Sequence, residues 1–133
     1  MGIPGYIPND TVRTTYNPVK LVLDGVIGVT PGVGTLITGT AAVSEAGTVL
    51  GIITASGKYT ASDSTASDGS EVPRAVLLAT ADSQAADASI VIAKTGSFDA
   101  SQLKFGGTDT IATAGVKVAM EDKNLYPVTL LTP

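Results

Sequence analysis

The 133-residue chain contains no cysteine, no histidine and no tryptophan. Without cysteine there are no disulfides and no thiolate chemistry. Without histidine as well, the usual zinc ligand sets and the side chain that most often moves protons near neutral pH are gone. Aromatics make up 5% of the chain, two Phe and four Tyr, so the apolar 44% rests mainly on Ala, Val, Ile and Leu. Each of these removes little area from water at ~25 cal/mol per Å², which predicts a thin core and stability drawn partly from neighbouring subunits. Basic residues are also few: eight Lys and Arg, scattered singly, against twelve Asp and Glu. A net charge of −4 with no basic patch argues against a nucleic-acid partner. No apolar run approaches the length of a membrane span, and the N-terminus lacks the charged and apolar regions of a signal peptide. The expectation is a soluble, single-domain protein with no membrane partner, no cofactor and no metal.

What is present is β chemistry. Residues 1–25, "MGIPGYIPNDTVRTTYNPVKLVLDG", read as an extended arm, because Pro4, Pro8 and Pro18 with Gly2 and Gly5 oppose helix and a compact start. Within the arm, Thr11, Val12, Arg13, Thr14, Thr15 and Tyr16 are mostly β-branched or aromatic, with Val12, Thr14 and Tyr16 on one face. No hairpin partner follows closely. An extended segment of this kind suits addition to the sheet edge of another chain, with its own domain or a neighbouring subunit as the other candidate acceptors.

Residues 26–133 read as the folded domain. "GVTPGVG" (28–34) is taken as a turn-rich lead-in to two strands, 34–43 and 47–56, separated by "SEAG". The polar stretch 57–73, with its Asp68-Gly69 pair, reads as an exposed loop. "RAVLLAT" and "ASIVIAK" (88–94) have the length and composition of buried strands, joined by an Ala-rich connection where Asp82 can cap a helical turn. Asp99 and Gln102 stand at capping-box spacing and predict a short helical turn. Asp109 is placed as the cap of a helix reaching about Lys123, with Ile111, Ala114, Gly115 and Val118 on one face and Asn124 as its stop. "YPVTLL" (126–131) closes the chain as a strand. The fold class is mainly β with one C-terminal helix (α+β), a small compact domain of short strands behind an extended arm.

The catalytic templates fail on spacing. "GIITASGK" (51–58) resembles a phosphate loop but has five residues between its glycines where four are needed, and Tyr59 replaces the magnesium-binding hydroxyl. Ser56 lacks the context of a nucleophile elbow, and a Ser-Lys pair with Lys58 or Lys94 is matched by any Ser-rich sequence. Asp63 and Asp68 do not fit a calcium loop, since Ser64 and Ala66 fall at ligand positions. Asp82 with Asp87 fits caps better than an acid-base pair. The sequence predicts no enzyme.

An ordered series of small-residue turns and short strands carries a resemblance. It runs Gly47-Thr48-Val49-Leu50-Gly51, Gly57-Lys58-Tyr59, Asp68-Gly69-Ser70, Ala75-Val76-Leu77-Leu78, "TADSQAAD", Thr95-Gly96-Ser97-Phe98 and Leu103. With the arm before it and "MEDKNLYPVTLL" after it, this series resembles the head decoration proteins of tailed bacteriophages, the family typified by the phage lambda head decoration protein. The resemblance implies a capsid cement protein in the virion. Homotrimers would sit on the outside of the expanded head at three-fold and quasi-three-fold positions, and the arm would pair with strands of the major capsid protein. The sequence departs from the lambda member in its Ala/Thr-rich, tryptophan-free chain and in a longer expected C-terminal helix. The competing expectation is a β-rich virion-surface or ligand-recognition module, such as a tail or fibre domain, for which four scattered Tyr and no Trp supply a poor aromatic platform.

Overall fold

The computed structural model describes residues 22–23, by their backbone, together with 29–40 and 42–129. Its strands are β1 (Val22–Leu23), β2 (Thr30–Leu36), β3 (Val49–Ile52), β4 (Tyr59–Ala61), β5 (Ala75–Leu77), β6 (Ala88–Asp99) and β7 (Leu125–Val128). A 3-10 turn (Ala100–Gln102) and one helix, α1 (Val116–Glu121), complete the described elements. Strands β6, β2, β4, β3 and β5 pair in that order, and β5 pairs back onto β6, which closes a small barrel. Every contact in the ring is antiparallel except β2–β4, which is parallel and rests on Leu36 opposite Tyr59.

Strand β6 is 12 residues long and changes partners along its length. Its first part belongs to the barrel, while Ser97 and Phe98 pair with β1, and Gly96 to Asp99 run parallel to β7. Gly96 marks the change. Its φ of 144° is one that side chains rarely adopt, and a Cβ there would stand 2.9 Å from the Val29 side chain.

The period of two along each strand sorts the core into two layers. Leu36, Leu50, Ala75, Leu77, Ile90 and Ile92 fill the barrel, with Tyr59 packed against them. The alternate residues Val49, Val76 and Ala93 point outward and are covered by Phe98, Leu125 and the α1 residues Val116 and Met120. Burial on both faces explains the continuous apolar run of β5, where Ala75, Val76 and Leu77 are all fully buried.

The sequence-based expectations are corrected at four places. Strand β2 begins at Thr30 and ends at Leu36, so the "TPGVG" taken as a lead-in turn is strand and the stretch to Val43 is not. Gly32 and Gly34 are tolerated in β2 because neighbours occupy the space their side chains would fill: a Cβ at Gly34 would lie 2.5 Å from the Tyr59 ring, and one at Gly32 2.8 Å from the Lys94 stem. The supposed loop 57–73 contains β4 at its start. The helix is six residues long, not a span from Asp109 to Lys123. Gly115, at φ 81°, stands just ahead of its first turn, and residues 111–115 form turns. Its buried residues are Val116 and Met120, while Val118, assigned to the packed face, is 62% exposed.

Other expectations hold. Asn124 ends the helical segment in the left-handed region at φ 63°. Asp99 caps the 3-10 turn, accepting from the Ser101 N–H at 3.0 Å. Asp82 also accepts from the Gln84 N–H, but the connection there is a bend and the helical turn it could cap is not formed.

Candidate functional site

The arm residues Thr11, Val12, Arg13, Thr14, Thr15 and Tyr16 lie outside the described residues. Val22 and Leu23, at the end of the segment read as arm, pair with Phe98 and Ser97 of β6. The residues tested as catalytic are engaged otherwise. Gly51 and Ile52 of "GIITASGK" end strand β3, which is shorter than the strand read over 47–56, and the rest is a turn with Gly57 at φ 73°. Lys58 gives its ammonium to Asp87 at 2.6 Å, and the Ser56 hydroxyl oxygen accepts from the Lys58 N–H. Among the described residues no group of three or more acidic side chains gathers at metal-binding distance.

The exposed feature of the barrel is the outer surface of β2 and β6. Val33 is 79% exposed and stands directly opposite Val91, itself 46% exposed. Thr35 and Ser89 continue the pair, and β2 carries no charged residue from Thr30 to Leu36. The backbone beside it is open over a short stretch. Val91 accepts from the Leu78 N–H, so its polar groups face β5. Its opposite number, Val33, therefore directs its own N–H and C=O away from β6, as Thr35 does two residues on. Among the described residues, β2 is paired on that side only at its end, where Leu36 stands opposite Tyr59 and the Ile37 N–H bonds the Tyr59 carbonyl at 2.9 Å. Between Pro31, which has no N–H to offer, and Thr35, whose carbonyl faces the Tyr59 N–H in the parallel bridge, the open backbone is a short uncharged stretch around Val33 where another chain could pair. The sequence signal for it was present in the alternation Pro31, Val33, Thr35, but the glycines between them read as turn-formers.

Asp87 fixes the rim of this surface. Its carboxylate pairs with Lys58 and accepts from the Thr38 N–H at 2.8 Å, joining the ends of β2, β4 and β6. The Lys58 hydrogen bond, followed by that from Thr38, holds the Asp87 carboxyl below the ordinary carboxylate range. Asp63 and Asp68 are lowered in the same way, by the hydroxyls and then the N–H groups of Thr65 and Ser70. A carboxyl with a depressed folded pKa contributes stability that is present above its unfolded value, about 4, and is lost as pH falls through the folded value. Asp87→Asn is therefore expected to lower the thermal midpoint at about pH 6 and to narrow the difference between about pH 6 and about pH 3. Differential scanning fluorimetry across that range checks it; an unchanged acid dependence would show that the Asp87 contacts add nothing to folding.

The described residues thus form a closed barrel with a thin helical cover, and its exposed apolar feature is the Val33–Val91 pair beside a short open stretch of β2. The family model described as Bacteriophage lambda head decoration protein D matches residues 20–121, and the chain belongs to that family. It is accordingly a non-enzymatic structural protein of the phage head, with a role in capsid decoration and stabilisation. No curated protein matches the chain.

Proposed function

We propose that the protein is a cement for the expanded head. It acts as a homotrimer on the outer capsid surface at three-fold and quasi-three-fold sites and holds the shell against the pressure of packaged DNA. The arm strand Thr11–Tyr16 adds to an exposed sheet edge of the major capsid protein. Main-chain bonds supply affinity there, and the alternate side chains Val12, Thr14 and Tyr16 set the register. The prolines on either side, Pro8 and Pro18, keep the segment from continuing into neighbouring strands.

Family membership carries this reading. It is supported by the uncharged Val33–Val91 surface and its open edge, which suit contact with a neighbouring subunit. The test is co-sedimentation of the full-length protein with undecorated shells before and after expansion. Saturable binding to expanded shells alone is expected; equal binding to both forms, or to neither, would overturn the cement reading.

A further inference from the structure

A cleft of about 200 Å³ lies between the outer barrel wall and α1, away from the valine surface. Its apolar lining includes Phe105, Val116 and Ala119, and its polar lining includes Ser62, Glu71 and Asp109. Ser62 directly follows β4. Its N–H donates to the Val49 carbonyl at 2.8 Å, which places it opposite Val49 on the face of the wall that α1 covers. The residue is 2% exposed, and its hydroxyl has no hydrogen-bond partner among the described residues. A buried hydroxyl left unpaired is costly, and such groups are normally satisfied by something.

The two carboxylates are occupied only by neutral donors. Glu71 accepts through Oε2 from the Gly69 N–H at 2.8 Å, and Asp109 accepts from the N–H and the hydroxyl of Ser64. Neither has a cationic partner among the described residues, where the ion pairs join Lys58 to Asp87 and Lys104 to Glu45. The cleft thus combines apolar walls, an unpaired buried hydroxyl and two negative groups without a counter-charge. A long side chain with an aliphatic stem and a cationic head complements all three: the stem lies against Phe105, Val116 and Ala119, and the head meets Glu71, Asp109 and the Ser62 hydroxyl.

We infer that this cleft is a socket for a lysine or arginine side chain of the capsid chain on which the protein sits. The inference rests on the decoration reading and adds a second contact to it. The cleft lies in the same layer as the end of the arm segment: β1 pairs with Phe98, and Phe98 belongs to one packed cluster with Val116.

The experiment measures binding of the full-length protein to expanded shells over a range of salt concentrations, for the wild type, Glu71→Gln and Ala114→Leu. Glu71→Gln removes one negative charge. Ala114→Leu narrows the mouth of the cleft and leaves both carboxylates in place. About tenfold weaker binding by each is expected, with a shallower salt dependence for Glu71→Gln. Wild-type affinity and salt dependence in both variants would overturn the socket while leaving the decoration reading intact.

A second measurement is independent of the shell. N-acetyl-arginine amide, titrated against its neutral citrulline counterpart, is followed by amide NMR shifts. Selective shifts at Ser62, Gly69 and Gly106 support the socket even if no shell is bound; equal responses to both compounds, or none, count against it.

Discussion

Phe98→Ala is expected to destabilise the fold by about 3–5 kcal/mol, a large part of the ~5–15 kcal/mol that holds a domain together. Phe98 is fully buried and is one of only two phenylalanines in the chain. It fills the space between the outward residues of the barrel wall, Val49, Val76 and Ala93, and the cover made by Val116, Met120 and Leu125. Its neighbours are held on several sides: Val76 and Ala93 by the β5–β6 ladder, Leu125 by β7 pairing with β6, and Val116 by the helix. A cavity walled by paired strands cannot collapse freely, so the loss should lie toward the upper part of the range. Equilibrium guanidinium unfolding followed by circular dichroism measures it, with an unchanged m-value expected. A loss below about 1 kcal/mol would mean that the helical cover and the barrel wall do not share a core.

Deleting residues 1–20 is expected to abolish saturable binding to expanded shells while leaving the fold intact. The two buried clusters are built from residue 36 onward, with Val29 packed at the edge of one, and β1 begins at Val22, so the truncation removes no described contact. Binding is another matter. On the proposed reading a short strand ordered on docking binds weakly by itself, but the proposed homotrimer would present three, and the second and third engagements would become intramolecular. Linked engagement of this kind raises avidity by roughly 10²–10⁴ over a single site, and all of it goes when the arms go. Co-sedimentation gives the loss, and a circular dichroism melt of the truncated protein gives the fold. A truncated form that still saturates shells would place the attachment in the domain; one that fails to fold would make the arm part of the core.

The sequence was most legible where a local rule and the tertiary context agree. The apolar runs of β3 and β5 were visible because strands buried on both faces carry little polar interruption, whereas β6, read as a buried strand, alternates and leaves Ser89 and Val91 exposed. Asn124 and Asp99 announced their caps, and the absence of histidine and cysteine with the failed motif spacings pointed away from an enzyme. Family membership was legible in the order of the small-residue turns, none of them specific alone. Strand β2 was hidden because its glycines follow from packing: only the positions of the Tyr59 ring and the Lys94 stem make Gly32 and Gly34 strand residues. Three-residue β4 was too short to stand out from the polar stretch that holds it.

The sequence by itself determined the class of fold, the buried apolar runs of β3 and β5 and the family, because these depend on composition, period and order along the chain. Tertiary structure alone decided the closure of the barrel, the length of α1, the exposure of Val33 opposite Val91, and the meeting of Ser62, Glu71 and Asp109 in one cleft. Those four features depend on which distant segments come together. Ser62 and Asp109 line one cleft only because β4 pairs with β3 while the chain after Phe105 returns across the same wall, a long-range juxtaposition that no local pattern encodes.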